Sequence, residues 1–98
     1  MNISANKNGT TLVIALEGRL DTATAPEFEK MITPDLSEIE ELIIDCSKLD
    51  YISSAGLRQL LRAHRGLKRG GQTKIRNANE IVKSVLDITG MTEFLTVE

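Results

Sequence analysis

The sequence is poor in the side chains on which most enzymes and metal sites depend. It has one histidine, His64, and one cysteine, Cys46, so an internal disulfide cannot form. It contains no Gly-x-Ser-x-Gly turn, no phosphate-binding glycine loop, no His-Glu-x-x-His motif and no cysteine pair. We therefore expect neither a metal nor a cofactor, and we interpret Cys46 as a small side chain of the core.

His64 is too far along the chain from the paired serines to act as their general base. Ser54 and His64 are ten positions apart, which is about 15 Å along a helix axis, whereas a nucleophile and its base must lie about 3 Å apart. His64 continues the apolar face of a predicted helix, so we expect a partly buried packing residue. The sequence predicts that the protein is not an enzyme.

Charge and hydropathy exclude two further classes of protein. The formal net charge is −2, whereas binding to duplex nucleic acid requires a basic surface. No apolar stretch approaches the roughly 20 residues of a membrane span, and residues 1–7 do not have the apolar run of a signal peptide. We therefore expect a cytosolic protein. Because the chain has 98 residues, 41% of them apolar, and no repeat or linker, we expect one domain over residues 1–98. We expect this domain to be monomeric when free.

The first part of the chain predicts a hairpin followed by a helix. Asn8-Gly9 is a typical hairpin turn between two strands. The apolar run at 12–16 predicts that the second strand is covered on both faces. Thr24, with Glu27 three positions on, predicts a helix start. The apolar face of this helix is expected at Ala25, Phe28, Met31 and Ile32, and Pro34 is expected to end or kink the helix at Thr33.

The middle of the chain predicts a second buried strand and a long helix. Residues 42–44 form the strand, and residues 45–47 lead out of it. Leucines and His64 recur at helical spacing between Ser54 and Arg69. Gly70-Gly71 follows, as glycine does after helix C-termini, so we expect the helix to end there.

The last part of the chain completes an α/β pattern. We expect a strand at 72–76, a helix capped by Asn77 and ended by Gly90, and a short strand at 94–97. Strands alternate with helices after the opening hairpin. The sequence therefore predicts an α/β fold, a small mixed β-sheet of four to five strands with three main helices packed on it.

The segment at 45–58, DCSKLDYISSAGLR, joins a buried strand to the long helix. Ser53 or Ser54 can cap that helix by accepting a hydrogen bond from its first backbone N–H groups. A helix N-terminus also favours anions, so a phosphate on one of these serines is tolerated there. Capping and phosphate acceptance are compatible, because the same geometry serves both.

Three segments of the chain resemble the anti-sigma-factor antagonists, a branch of the STAS domain family. One is Ser-Ser-Ala-Gly-Leu at the start of the long helix, after Asp-x-Ser and a hydrophobic pair. The others are Gly18-Arg19-Leu20-Asp21 with Thr24, and Ile88-Thr89-Gly90-Met91 with Phe94. Their order and spacing cover nearly the whole chain, so the resemblance implies a single STAS domain.

The resemblance implies a partner-switching mechanism. In that family, the unphosphorylated antagonist binds an anti-sigma factor that is also a serine kinase, and a sigma factor is set free. The kinase then phosphorylates the antagonist and the complex separates, until a metal-dependent serine phosphatase resets it. The phosphoserine of the family aligns with Ser54, two residues before Gly56.

The segment departs from the family pattern at two positions. Many members have aspartate where this chain has Ser53, and serine or threonine where it has Ala55. Ser54 remains the expected phosphate acceptor, with Ser53 as a minor candidate. The predicted partner-binding residues are Asp21, Ser53, Ala55, Gly56, Arg58 and Arg62.

Two features of the sequence, a series of arginines and Asp21, each allow more than one interpretation. Four arginines recur at spacings of four, three and four, namely Arg58, Arg62, Arg65 and Arg69. This spacing fits a solvated helix face, and it also fits a docking surface for an acidic partner. Asp21 can order the first helix, or it can lie near Ser54 and interact with the hydroxyl. For the whole chain, the alternative function is a STAS subunit that scaffolds another complex, such as a lipid transporter, without a phosphate cycle.

Overall fold

The computed structural model describes residues 1–32 and 36–98. Its strands and helices follow in the order β1 (Asn2–Asn8), β2 (Thr11–Leu20), α1 (Ala25–Ile32), β3 (Glu41–Ile52), α2 (Ser54–Gly66), β4 (Gln72–Arg76), α3 (Glu80–Ile88) and β5 (Thr96–Val97). Short 3₁₀ turns at Leu36–Glu38 and Met91–Glu93 precede β3 and β5. The predicted end of the first helix at Thr33 and Pro34 lies outside the described residues.

The five strands form one mixed sheet in the order β1-β2-β3-β4-β5. The β1–β2 pair is the predicted antiparallel hairpin, with Asn8 opposite Thr11, and Gly9 adopts the positive φ that its turn requires. The other neighbouring pairs are parallel. The predicted mixed sheet with three helices is therefore confirmed.

The three helices cover one face of this sheet. Each connects two neighbouring parallel strands, and such crossovers are almost always right-handed, which places successive helices on the same side. The core accordingly joins alternate residues of β2, such as Leu12 and Ile14, to Phe28 of α1 and Leu60 of α2. On the other face, Val13 is only partly buried. The expectation that β2 is covered on both faces is therefore wrong.

β3 is longer than its apolar run predicted. Residues 45–47 do not lead out of it, because the strand continues to Ile52. Beyond Ala15 of β2, the pairing between β2 and β3 has two register shifts. Gly18 lies at the second shift, with a φ of 104°. A parallel partner thus extends the strand through a polar stretch, and brings Leu20 opposite Ile52.

The long helix ends earlier than predicted, at Gly66 rather than at Arg69. Leu67 already has extended backbone angles, and its side chain belongs to the core. The backbone N–H of Lys68 donates to the carbonyl of Ile39 at 3.0 Å, so contact with the chain before β3 replaces another helical turn. Gly70-Gly71 lies in the following connection to β4.

The last helix is capped by Asn79 and not by Asn77. The Asn79 side chain accepts from the N–H of Val82 at 2.8 Å and donates to the Leu49 carbonyl at 3.1 Å. Asn77 has a φ of 60°, and its amide donates to the Asp45 carboxylate at 3.1 Å. Asn77 therefore makes the turn out of β4, and the cap falls two residues later.

The structure confirms one further expectation, for Gly90, and corrects two others, for the final strand and for Met31. Gly90 follows α3 in the left-handed conformation, as predicted. The final strand covers only Thr96–Val97, because Phe94 closes the preceding 3₁₀ turn. In the first helix, Met31 is 43% exposed and does not belong to the buried face.

The histidine and the cysteine occupy structural positions. His64 is half-buried, and its Nδ1 lies 2.8 Å from Oγ1 of Thr73, a buried hydroxyl on β4. Cys46 is buried, and its burial raises the pKa of the thiol to about 12, so the thiol stays protonated. Among the described residues, no helix is long and apolar enough to cross a membrane.

Candidate functional site

The serine pair opens α2 with a division of roles between the two hydroxyls. Ser53 is the N-cap, with extended backbone angles, and its Oγ accepts from the N–H of Gly56 at 3.3 Å. Its carbonyl accepts from the N–H of Leu57 at 2.9 Å. Ser54 is the first helical residue. The capping role that the sequence left open between them belongs to Ser53.

Ser54 is exposed. Within residues 1–32 and 36–98, its hydroxyl takes part in no hydrogen bond. It lies at the positive end of a helix of 13 residues, where a negative charge is favoured. Ser54 thus presents an accessible hydroxyl at a helix N-terminus, which favours an added phosphate.

The end of β2 fixes the position of this helix start. The carbonyl of Leu20 accepts from the N–H of Ser53 at 2.9 Å. A Cβ added to Gly56 would lie 2.7 Å from this same carbonyl oxygen and 2.8 Å from Cγ1 of Ile52. Only glycine allows the first turn of α2 to approach β2 so closely.

Asp21, directly after Leu20, orders the start of α1. Its Oδ1 accepts from the backbone N–H groups of Ala23 at 3.0 Å and Thr24 at 3.1 Å. The Thr24 hydroxyl, expected to cap the helix together with Glu27, instead donates to the Arg19 carbonyl and accepts from the Asp21 N–H. The bond from the Thr24 N–H is the largest influence that lowers the pKa of Asp21. Of the two roles left open for Asp21, ordering the first helix is the one that its hydrogen bonds show.

The four arginines do not form one continuous helical stripe. Arg69 lies beyond the end of α2. Arg62 is paired across to α1, with its guanidinium 3.3 Å from the Glu29 carboxylate. Arg58 and Arg65 are exposed on α2, and neither forms an ion pair in the described part of the chain. Two of the four predicted cations are therefore available on α2, and one of them is a single turn from Ser54.

The sequence interpretation assigned no individual role to three residues that lie beside the site. The Arg19 guanidinium lies over the ring of Tyr51, 4.6 Å from the ring centroid. The two residues are opposite each other in the pairing of β2 with β3. Leu20 supplies the carbonyl that holds α2. No side-chain pattern signals a backbone contact of this kind, although Leu20 and Gly56 both lie in segments that carry the family resemblance.

The family model of the STAS domain matches residues 2–98. The chain therefore belongs to the STAS domain family. Two relatives cover its length. The anti-sigma-B factor antagonist of Bacillus subtilis is 24% identical over 98 residues, 99% of this chain and 90% of that protein. A protein of Bordetella bronchiseptica named putative anti-sigma factor antagonist BtrV is 28% identical over 99 residues, 99% of this chain and 85% of its own.

Solved structures share the fold. An anti-sigma factor antagonist from Mycobacterium paratuberculosis superposes with a TM-score of 0.82 at 21% identity, covering 98% of this chain and 83% of that one. The Bacillus cell fate determinant SpoIIAA, in its phosphorylated form, superposes with a TM-score of 0.76 at 20% identity, covering 99% and 91%. At these identities, the structures establish the common fold of the two proteins and this chain.

The approach of α2 to β2 predicts a large effect for a small substitution. Gly56→Ala should lower the free energy of unfolding by about 1–3 kcal/mol, because the added methyl overlaps a backbone carbonyl that cannot move without breaking the Ser53 bond. Gly66→Ala is the matched control. At that site the nearest atom is Cδ1 at the end of the Leu36 side chain, 3.3 Å away, and no backbone atom is as close; alanine is also the better helix former. Urea unfolding of both variants measures the difference, and equal stabilities would contradict the close approach.

Asp21 predicts a contribution to stability that depends on pH. Because folding lowers its pKa below the ordinary value of 3.8, the ionised form stabilises the fold above pH 3.8, and this stabilisation is lost as the pH falls through the lowered pKa. Asp21→Asn should therefore melt below wild type at pH 7, and the two melting temperatures should converge in strong acid. A melting-temperature difference that stays constant from pH 7 to pH 2 would contradict this role of the carboxylate.

Proposed function

We propose that this protein is an anti-sigma factor antagonist and acts as a phosphorylation-gated binding switch. With Ser54 unmodified, it binds an anti-sigma factor that is a serine kinase. Phosphorylation of Ser54 by that kinase ends the complex, and a metal-dependent serine phosphatase restores the binding form. The protein acts in the cytoplasm as a binding partner and not as an enzyme. Two relatives matched over 99% of the chain and named as antagonists support this assignment.

One observation carries the choice of Ser54 as the switch residue. Its hydroxyl is exposed and forms no hydrogen bond within the described residues, whereas the neighbouring Ser53 hydroxyl accepts a hydrogen bond from the N–H of Gly56. A kinase can approach Ser54 without disturbing the helix start. Ser53, by contrast, is partly buried and its oxygen already caps the helix, so it is less accessible to a kinase. The difference favours Ser54 as the acceptor and leaves Ser53 a minor one.

The proposed docking surface surrounds Ser54. Arg58 and Arg62 are its exposed members, and Asp21, Ser53 and Ala55 are partly exposed. Gly56 is buried, so we infer that it serves binding by positioning the helix and not by touching the partner. A phosphate on Ser54 brings about −1.5 to −2 units of charge into this surface. Moving such a charge out of water into an interface is costly, which accounts for release.

The acceptor assignment is tested by mass spectrometry of the protein purified from its native cells. The wild type should carry one phosphate, and fragmentation should place it on Ser54. Ser54→Ala should lose this phosphate and keep at most a minor fraction on Ser53, which is partly buried.

Ser53→Asp is the matched control for this experiment. It removes the other hydroxyl and keeps the cap, since aspartate is as good an N-cap as serine, so this variant should be phosphorylated like the wild type. Full phosphorylation of Ser54→Ala would refute the assignment. A wild-type protein that never carries phosphate would favour the alternative, a STAS subunit that scaffolds another complex.

A further inference from the structure

Arg58 stands where it can reach a phosphate on Ser54. The two residues are four positions apart in α2, and residues at this spacing lie on one helix face, with their Cβ atoms about 6 Å apart. Side chains of a helix lean toward its N-terminus, so an arginine at position 58 is placed to extend back over the turn that carries Ser54. An anion four residues before a cation is also the favourable orientation of such a pair.

The other charges on this surface leave Arg58 available for the role. Arg62 is held 3.3 Å from the carboxylate of Glu29. The Asp21 carboxylate accepts hydrogen bonds from Ala23 and Thr24 and lies 3.7 Å from Nε of Arg19. Arg58 is exposed and has no acidic partner within the described ranges. It is thus a guanidinium one turn from Ser54 without a competing ion pair.

We propose that Arg58 is the internal clamp for phosphorylated Ser54. This inference rests on the proposed function, and it concerns what the phosphate does once it is present. The guanidinium binds the phosphate oxygens, through the two-pronged geometry that suits arginine to phosphate. The clamp also holds the phosphate on the first turn of the helix.

The clamp changes how phosphorylation ends partner binding. In the unmodified protein, Arg58 is free to meet an acidic group of the partner, and such surface charges speed association. After phosphorylation, the same guanidinium is engaged within the chain. The phosphate therefore acts twice: it adds negative charge to the docking surface, and it withdraws the nearest cation from it.

The clamp is tested without any kinase or partner. The 98-residue chain is made by peptide ligation with phosphoserine at position 54, and its phosphorus NMR signal is followed between pH 4 and pH 8. The second phosphate pKa is about 6 when unperturbed. An adjacent guanidinium favours the doubly charged form, so this pKa should lie about half a unit lower in the wild type than in Arg58→Gln.

Two further variants sharpen the test. Arg65→Gln removes the same charge 11 positions from Ser54, about 16 Å along the helix, and should titrate like the wild type. Arg58→Lys keeps the charge without the two-pronged geometry, and its phosphate pKa should fall between those of wild type and Arg58→Gln. Equal pKa values in the wild type and Arg58→Gln would overturn the clamp, and so would an equal rise in Arg65→Gln. Failure of a kinase to modify Ser54 would refute the proposed function and leave this titration unaffected.

Discussion

The contact between the Leu20 carbonyl and the first turn of α2 is the constraint on which the site depends. This one oxygen accepts the N–H of Ser53 at 2.9 Å and leaves no room for a side chain at Gly56. It ties the end of β2 to the start of α2, and so fixes where the helix begins. Because the helix begins at this point, Ser53 becomes its cap and Ser54 its first exposed residue.

The same constraint joins the parts of the site that come from distant segments. Leu20 is followed at once by Asp21, whose carboxylate orders the start of α1. On the other side, β3 runs on to Ile52, paired with Leu20. The starts of α1 and α2 are therefore held against the same end of the sheet, which supports the exposed surface around Ser54. The proposed switch adds charge to this surface and needs no change of fold.

Much of this architecture could be predicted from local patterns, and the remainder depends on contacts that no local pattern contains. The Asn8-Gly9 turn, the three amphipathic helices and the serine pair at a helix start are visible in the sequence because each follows from neighbouring residues. The extension of β3 to Ile52 depends on pairing with β2, and the end of α2 at Gly66 depends on the carbonyl of Ile39. The candidate site shows the same division: the position of Ser54 at a helix start could be predicted, whereas the pairing of Arg62 with Glu29 required the packing of α1 on α2.

In the proposed switch, phosphorylation of Ser54 ends partner binding. One measurement tests this step most directly. Calorimetric titration should compare the affinity of the proposed partner, an anti-sigma factor kinase, for the unmodified protein and for the protein with phosphoserine at 54. The account predicts binding of the unmodified form and an affinity at least about tenfold lower for the phosphorylated form, a difference of about 1.4 kcal/mol. Equal affinities of the two forms would contradict it.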